Sequence, residues 1–104
     1  MSFTATKVVI ITEKLILEKI AAVIESCGGS GYTVVAAGGK GSRGVRSTGH
    51  ARVVDEFSNV KIEVITADSQ TAICIADEVA EKFLGNYSGI TYLESVQILR
   101  PHKF

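Results

Sequence analysis

Val60-Lys61-Ile62-Glu63-Val64-Ile65-Thr66 alternates apolar and charged side chains, and Ala67-Asp68 follows it directly. A period of two puts Val60, Ile62 and Val64 on one face of a strand and Lys61 and Glu63 on the other. The charged positions predict that the second face is only partly covered. Asp68 has the chemistry of a helix cap. Beyond it Ala72, Ala76, Val79, Ala80 and Phe83 recur at helical spacing, and Gly85 supplies a stop. Ile90 to Leu99 reads as a last strand closed by Pro101, which cannot donate to a ladder.

Toward the N-terminus, Tyr32 to Ala37 reads as another strand. Before it, Leu15, Ile16, Ile20, Val23, Ile24 and Cys27 form an apolar helical stripe that Gly28 and Gly29 terminate. Thr12 is the expected cap of that helix, with Glu13 at its positive end. The β-branched run Val8-Val9-Ile10-Ile11 reads as a short strand buried on both faces. The order is β-α-β-β-α-β. The fold class is therefore α+β: a ferredoxin-like sandwich, with a four-stranded antiparallel sheet and both helices on one face. The opposite face has no cover within one chain. Its residues are expected to be too weakly charged to stay wet, which predicts an oligomer packed sheet against sheet.

A length of 104 residues suits one domain spanning 1–104, and 46% hydrophobic with 21% charged residues suits an ordinary core. Trp is absent, so the core is aliphatic. Eleven basic and eleven acidic side chains balance, which argues against broad nucleic-acid binding. The two cysteines, Cys27 and Cys74, lie in apolar helical stretches and are expected to be buried thiols in a reducing compartment. Met1 to Lys7 lacks the pattern of a secretory signal, and no apolar run approaches the roughly 20 residues of a membrane helix. A soluble, cytoplasmic protein is expected.

Between the second and third strands lies Gly38-Gly39-Lys40-Gly41-Ser42-Arg43-Gly44-Val45-Arg46-Ser47-Thr48-Gly49-His50-Ala51-Arg52. It holds five of the ten glycines and four of the eleven Lys and Arg residues, without an acidic one. Glycine-rich backbone can turn successive N–H groups toward one anion, and arginine forks match phosphate oxygens. A connection of about twenty residues is far longer than a hairpin needs, which points either to function or to a plain solvated loop. Gly39-Lys40-Gly41-Ser42-Arg43-Gly44 matches G-x-G-x-x-G literally, but no helical pattern follows it, so a dinucleotide fold is not indicated. It is not a Walker A loop either, because Gly41 follows the lysine. Gly85-Asn86-Tyr87-Ser88-Gly89 reads as a helix stop, or as a backbone edge able to meet a base. His50 and His102 lack partners at metal-ligand spacing. The first and third strands offer no aromatics on which RNA bases could stack.

Val8-Val9-Ile10-Ile11-Thr12-Glu13-Lys14, Gly31-Tyr32-Thr33-Val34, Gly38 to Arg43, Val45-Arg46-Ser47 and Tyr87-Ser88-Gly89-Ile90 together resemble, in order, the cyanobacterial carbon-regulatory PII-like family, the SbtB signalling proteins. The resemblance implies a homotrimer with nucleotide sites in clefts between subunits. It implies adenine nucleotides as effectors (cAMP, AMP, ADP and ATP), with room for a divalent cation beside ATP. It implies phosphate contacts from Lys40, Gly41, Ser42, Arg43 and Arg46, and adenine contacts from Gly89 and Ile90. The long connection, about 40–58, corresponds to the T-loop. The implied partner is a sodium-dependent bicarbonate transporter, through which the protein would meet the membrane peripherally. The loop lacks the tyrosine that classical PII proteins modify. The expected function is regulation and not enzymology. The rival is slow ATP or ADP hydrolysis in the same cleft, which would need an oriented water and metal-holding carboxylates.

Overall fold

The computed structural model describes residues 2–38 and 58–100. The elements are β1 (Phe3–Glu13), a 3-10 turn (Lys14–Ile16), α1 (Leu17–Ser26), β2 (Thr33–Ala37), β3 (Asn59–Thr66), α2 (Ser69–Lys82) and β4 (Gly89–Ile98). The sheet order is β2-β3-β1-β4, with every neighbouring pair antiparallel. This is the βαββαβ sandwich that the alternating third strand and the two helical stripes predict.

One core lies between the sheet and the helices. Val8 and Ile10 of β1 meet Val60, Ile62 and Val64 of β3; Ile20, Val23 and Ile24 come from α1, and Ala72, Ile75 and Val79 from α2. All are at least nine-tenths buried. At about 25 cal/mol per Å² of apolar surface, each of these larger side chains contributes on the order of 1.5–3 kcal/mol. Asp68 caps α2 as expected, its Oδ1 accepting the Thr71 N–H at 2.8 Å.

Other local expectations need correction. The first strand is eleven residues long, not a four-residue run. Thr12 and Glu13 belong to that strand and cap nothing. A 3-10 turn intervenes, and α1 starts without a side-chain cap. That turn carries Leu15 out of the apolar stripe, leaving it 79% exposed.

The strand alternation that turns Val8 and Ile10 to the helices turns Lys7, Val9 and Ile11 to the opposite face. Register adds Val35, Lys61 and Glu63 on one side and Ile90, Tyr92 and Glu94 on the other. Val35, Ile90 and Tyr92 are exposed. This face is more charged than expected. Lys7 Nζ lies 3.2 Å from Glu94 and 3.7 Å from Glu63, and Lys61 Nζ lies 3.5 Å from Glu63. Two cations and two anions cancel in one line across three strands, so the apolar patches on either side are not opposed by a net charge. The hydrogen bond to Glu94, followed by the charges of Glu63 and Glu94, raises the Lys7 pKa above its usual value.

Cys27 and Cys74 are not free thiols: they are joined as a disulfide, with Cα atoms 5.9 Å apart. Cys27 ends α1 and Cys74 lies one turn and a half into α2. Each sits on the helix edge that faces the other helix, and both keep partial solvent access. Helical periodicity locates each cysteine on its own element but says nothing of the pairing between elements.

Candidate functional site

Antiparallel pairing brings Gly38 and the Gly85–Gly89 cluster to one end of the sheet. Ala37 pairs with Asn59, Asn59 with Glu13, and Thr12 with Gly89. Gly38 leaves β2 at this end and Ser58 leads into β3, so both ends of the basic connection are anchored there. Gly89 and Ile90 open β4 at the same end. Adjacent strands are about 4.8 Å apart, so β2 and β4 stand roughly 14 Å from one another across this rim.

The rim is fastened by hydrogen bonds. Lys14 N–H donates to the Ser58 carbonyl at 2.7 Å. Thr12 Oγ1 donates to the Ser88 carbonyl at 2.8 Å, and Glu13 Oε2 accepts the Ser88 N–H at 2.7 Å. Thr12 and Glu13 therefore hold the turn before β4. Gly89 has a steric reason to be glycine: a Cβ there would lie 2.6 Å from the Ile11 carbonyl oxygen and 2.9 Å from Thr12 Oγ1. Ile90 follows with 56% exposure. Among the described residues β4 pairs only with β1, so Gly89 and Ile90 sit on a sheet edge.

Of the residues that sequence points to, Gly89 and Ile90 are thus placed on the rim. Lys40, Gly41, Ser42, Arg43 and Arg46 lie outside the described residues, as do His50 and His102. The chain connectivity alone tethers the basic stretch to this rim, because Gly38 is its first residue. No cluster of His, Cys, Asp and Glu able to hold a metal occurs among the described residues. No helix among them is long and apolar enough to cross a membrane.

The opposite end of the sheet carries a feature that the sequence reading missed. The α1–β2 turn, Gly28-Gly29-Ser30, faces the β3–α2 junction across a cavity of about 180 Å³. Ile65, Thr66, Ala67, Asp68 and Thr71 form the other wall. A larger open groove of about 470 Å³ continues past Ser30 and Tyr32 along α1, where Glu18 and Glu25 line it. Gly28 takes a left-handed φ of +97°, and the Gly29 N–H donates to the Ile24 carbonyl at 2.8 Å. A Cβ on Gly29 would lie 2.6 Å from Ile24 Cγ2, so the turn lies flat against the end of α1. On the other wall, Thr66 Oγ1 is 2.9 Å from the carbonyls of both Thr6 and Asp68. Three glycines within Gly28-Gly29-Ser30-Gly31 were the available signal, but as a helix stop they gave no sign of a facing wall.

Known structures share this architecture along their length. A PII-like signalling protein from Thermus thermophilus is 30% identical, with a TM-score of 0.78 over 99% of this chain and 97% of that one. CPII from Thiomonas intermedia K12, bound to ADP and bicarbonate, is 24% identical with a TM-score of 0.79 over 100% of this chain and 97% of that one. The same protein bound to ADP, AMP and bicarbonate is 22% identical, with a TM-score of 0.74 over 97% and 99% of the two chains. At those identities the Thiomonas structures show the shared fold. The model of the family described as nitrogen regulatory protein P-II matches residues 5–103. With the sheet order, the long connection between β2 and β3 and the rim at Gly89 all in place, this chain belongs to the P-II family.

Proposed function

We propose that this P-II protein is a nucleotide-sensing regulator of the carbon-regulatory, SbtB-like kind. It binds adenine nucleotides (cAMP, AMP, ADP or ATP, the last with a divalent cation) and passes their identity to a sodium-dependent bicarbonate transporter through the 40–58 segment. The observation that carries this reading is the shared rim: the anchors of the basic, glycine-rich segment and the Gly89-Ile90 edge stand at one end of one sheet. A phosphate chain held by Lys40, Gly41, Ser42, Arg43 and Arg46 would leave its adenine within reach of Gly89 and Ile90. Thiomonas CPII, of the same fold, binds ADP, which shows that such a frame accommodates an adenine nucleotide.

The same geometry supports an assembly of copies. Within one chain the rim and the Gly28–Ser30 cavity lie at opposite ends of the sheet. A closed ring of copies packed through the Val35–Ile90–Tyr92 face would set the rim of one copy against the cavity end of the next. We take the ring to be a trimer, with each cleft built from two subunits. Nucleotides then differ in effect because each favours one arrangement of the 40–58 segment by its own differential affinity. Sensing is favoured over the rival reading, slow ATP or ADP hydrolysis in the same cleft, because in the segment that would hold the phosphates acidic residues come only at Asp55 and Glu56.

The test is titration calorimetry of the purified protein with cAMP, AMP, ADP and ATP, with and without magnesium, alongside light scattering for the mass. Saturable binding of at least one nucleotide, one site per subunit of a trimer, is expected. Absence of binding at millimolar nucleotide overturns the sensor, and a monomeric mass overturns the shared cleft.

A further inference from the structure

The disulfide stands beside the cavity. Cys27 immediately precedes Gly28 on one wall, and Cys74 follows Thr71 of the other wall by less than one helical turn. The bond therefore ties the two walls together at their base. Elsewhere the walls are joined by packing, since Ile24 of α1 and Ile75 of α2 share the core, and by the pairing of β2 with β3. The Gly28–Ser30 turn is fixed to α1 by the Gly29 N–H bond to Ile24, and the side chain of Ile75 of α2 lies 3.5 Å from where a Gly29 Cβ would stand. Neither cysteine is fully buried, so small thiols and disulfides can reach the pair.

We propose that Cys27 and Cys74 form a reversible thiol–disulfide couple that regulates ligand affinity at the cavity between the α1–β2 turn and the β3–α2 junction. The inference rests on the nucleotide reading above, in which this cavity is one wall of the adenylate cleft. The chemistry needs a low-molecular-weight disulfide such as oxidised glutathione as co-reactant. One cysteine loses its proton and its thiolate attacks a sulfur of that disulfide, expelling one small thiolate. The second cysteine, also deprotonated, attacks the mixed disulfide and expels the other. The protein gives up two electrons and two protons, and two small thiols form. A small thiol in excess reverses both steps.

The oxidised form holds the walls at one separation, so less ordering is left for the ligand to bring about and affinity is higher. Reduction lets the Gly28–Ser30 turn move relative to the β3–α2 junction and lowers it. Linkage makes the effect reciprocal: a ligand that prefers the oxidised form protects the bond from reduction by the same factor.

The experiment uses wild-type protein, oxidised with glutathione disulfide or reduced with dithiothreitol, with thiols counted by a chromogenic disulfide and the mass confirmed. Two thiols per chain are expected after reduction and none before it. ADP titrated into each form is expected to bind at least fivefold more tightly to the oxidised one. Cys27→Ser with Cys74→Ser is expected to match the reduced form in both buffers; should it fail to fold, Cys27→Ala with Cys74→Ala takes its place, and the wild-type comparison needs neither. Saturating ADP is expected to raise the thiol-to-disulfide ratio needed for half reduction by the same fivefold or more. Equal ADP affinity of the two forms overturns this proposal and leaves the nucleotide reading standing. Thiols that never pair under glutathione disulfide overturn it as well. Absence of ADP binding in either form overturns it together with ADP as a ligand of the cleft.

Discussion

The Glu13 carboxylate accepts the Ser88 backbone N–H at 2.7 Å, across 75 residues of sequence. It joins the end of β1 to the turn that opens β4, beside the Thr12 hydroxyl bond to the Ser88 carbonyl. Two adjacent residues thus satisfy both polar groups of one peptide residue at the rim. A hydrogen bond to a charged group contributes more than a neutral one. Glu13→Ala is expected to cost about 1–2 kcal/mol in urea unfolding and to weaken nucleotide binding severalfold. A variant with wild-type values in both measurements would show that the turn holds its place without the carboxylate.

The next residue sets a steric limit. A side chain at Gly89 would press on backbone, the Ile11 carbonyl oxygen at 2.6 Å, which cannot swing away as a flexible side chain could. Gly85, at the start of the same turn, has nothing within 4 Å of its Cβ position. Gly89→Ala is therefore expected to destabilise by about 2 kcal/mol or more, from overpacking against the ladder. Gly85→Ala is expected to stay within about 0.5 kcal/mol of wild type. Similar melting temperatures for the two variants would contradict the close approach.

These residues mark what a sequence reading can and cannot reach. Alternation in Val60–Thr66 and the stripe from Ile16 to Ile24 are local periodicities, and the architecture followed from them. The cap at Asp68 was legible because its partner, Thr71, is three residues away. Thr12 was misread for the opposite reason. Its chemistry suits a cap, but its partner Ser88 is 76 residues distant, and strand pairing with β4 holds it extended. Gly89 was legible as a glycine in a turn, whereas the carbonyl that excludes a side chain belongs to another strand. The Cys27–Cys74 bond and the facing walls of the small cavity are likewise relations between elements, which no local pattern encodes.

Thr91 presents a different imbalance. Its Oγ1 is buried and has no hydrogen-bond partner among the described residues, and it pairs with Ile10 on the helix-facing side of β4. A buried hydroxyl without a partner loses its water and gains nothing in return. Thr91→Val keeps the shape and removes the polar atom. It is expected to stabilise the protein by about 1 kcal/mol, read as a rise in the urea midpoint at unchanged slope. A loss of stability would reveal that the hydroxyl has a partner after all.

Lys7 gives the protein an alkaline signature. Its hydrogen bond to Glu94 and the charges of Glu63 and Glu94 hold its ammonium above the usual 10.5. The folded state therefore favours the protonated lysine. The resulting stabilisation is complete below the unfolded value of 10.5 and disappears as pH rises through the higher folded one. The stability gap between wild type and Lys7→Met is expected to be constant from pH 7 to about pH 10 and to change above it, as the wild type loses this contribution. Urea titrations at about pH 8 and about pH 11 measure the two gaps. The same gap at both pH values would mean that the ion pairs across the open sheet face contribute nothing to folding.

The basic connection carries the sharpest prediction. Arg43 and Arg46 lie in a segment tethered at both ends to the rim where Gly89 and Ile90 stand, with no acidic side chain between Gly38 and Arg52. Guanidinium forks bind phosphate oxygens in pairs, and each charge-assisted bond contributes on the order of 1.5–3 kcal/mol. Among the described residues the buried side chains come from the strands and helices, and the double variant is expected to fold. Arg43→Ala with Arg46→Ala is therefore expected to weaken nucleotide binding tenfold or more while the melting temperature without ligand stays within a degree or two. Salt dependence separates the phosphate contacts from those to the base: affinity of the wild type for ADP should fall more steeply with added salt than that of the double variant, because exposed charge contacts are screened. Unchanged dissociation constants would remove the arginines from the site and leave the Gly89-Ile90 edge without a phosphate clamp.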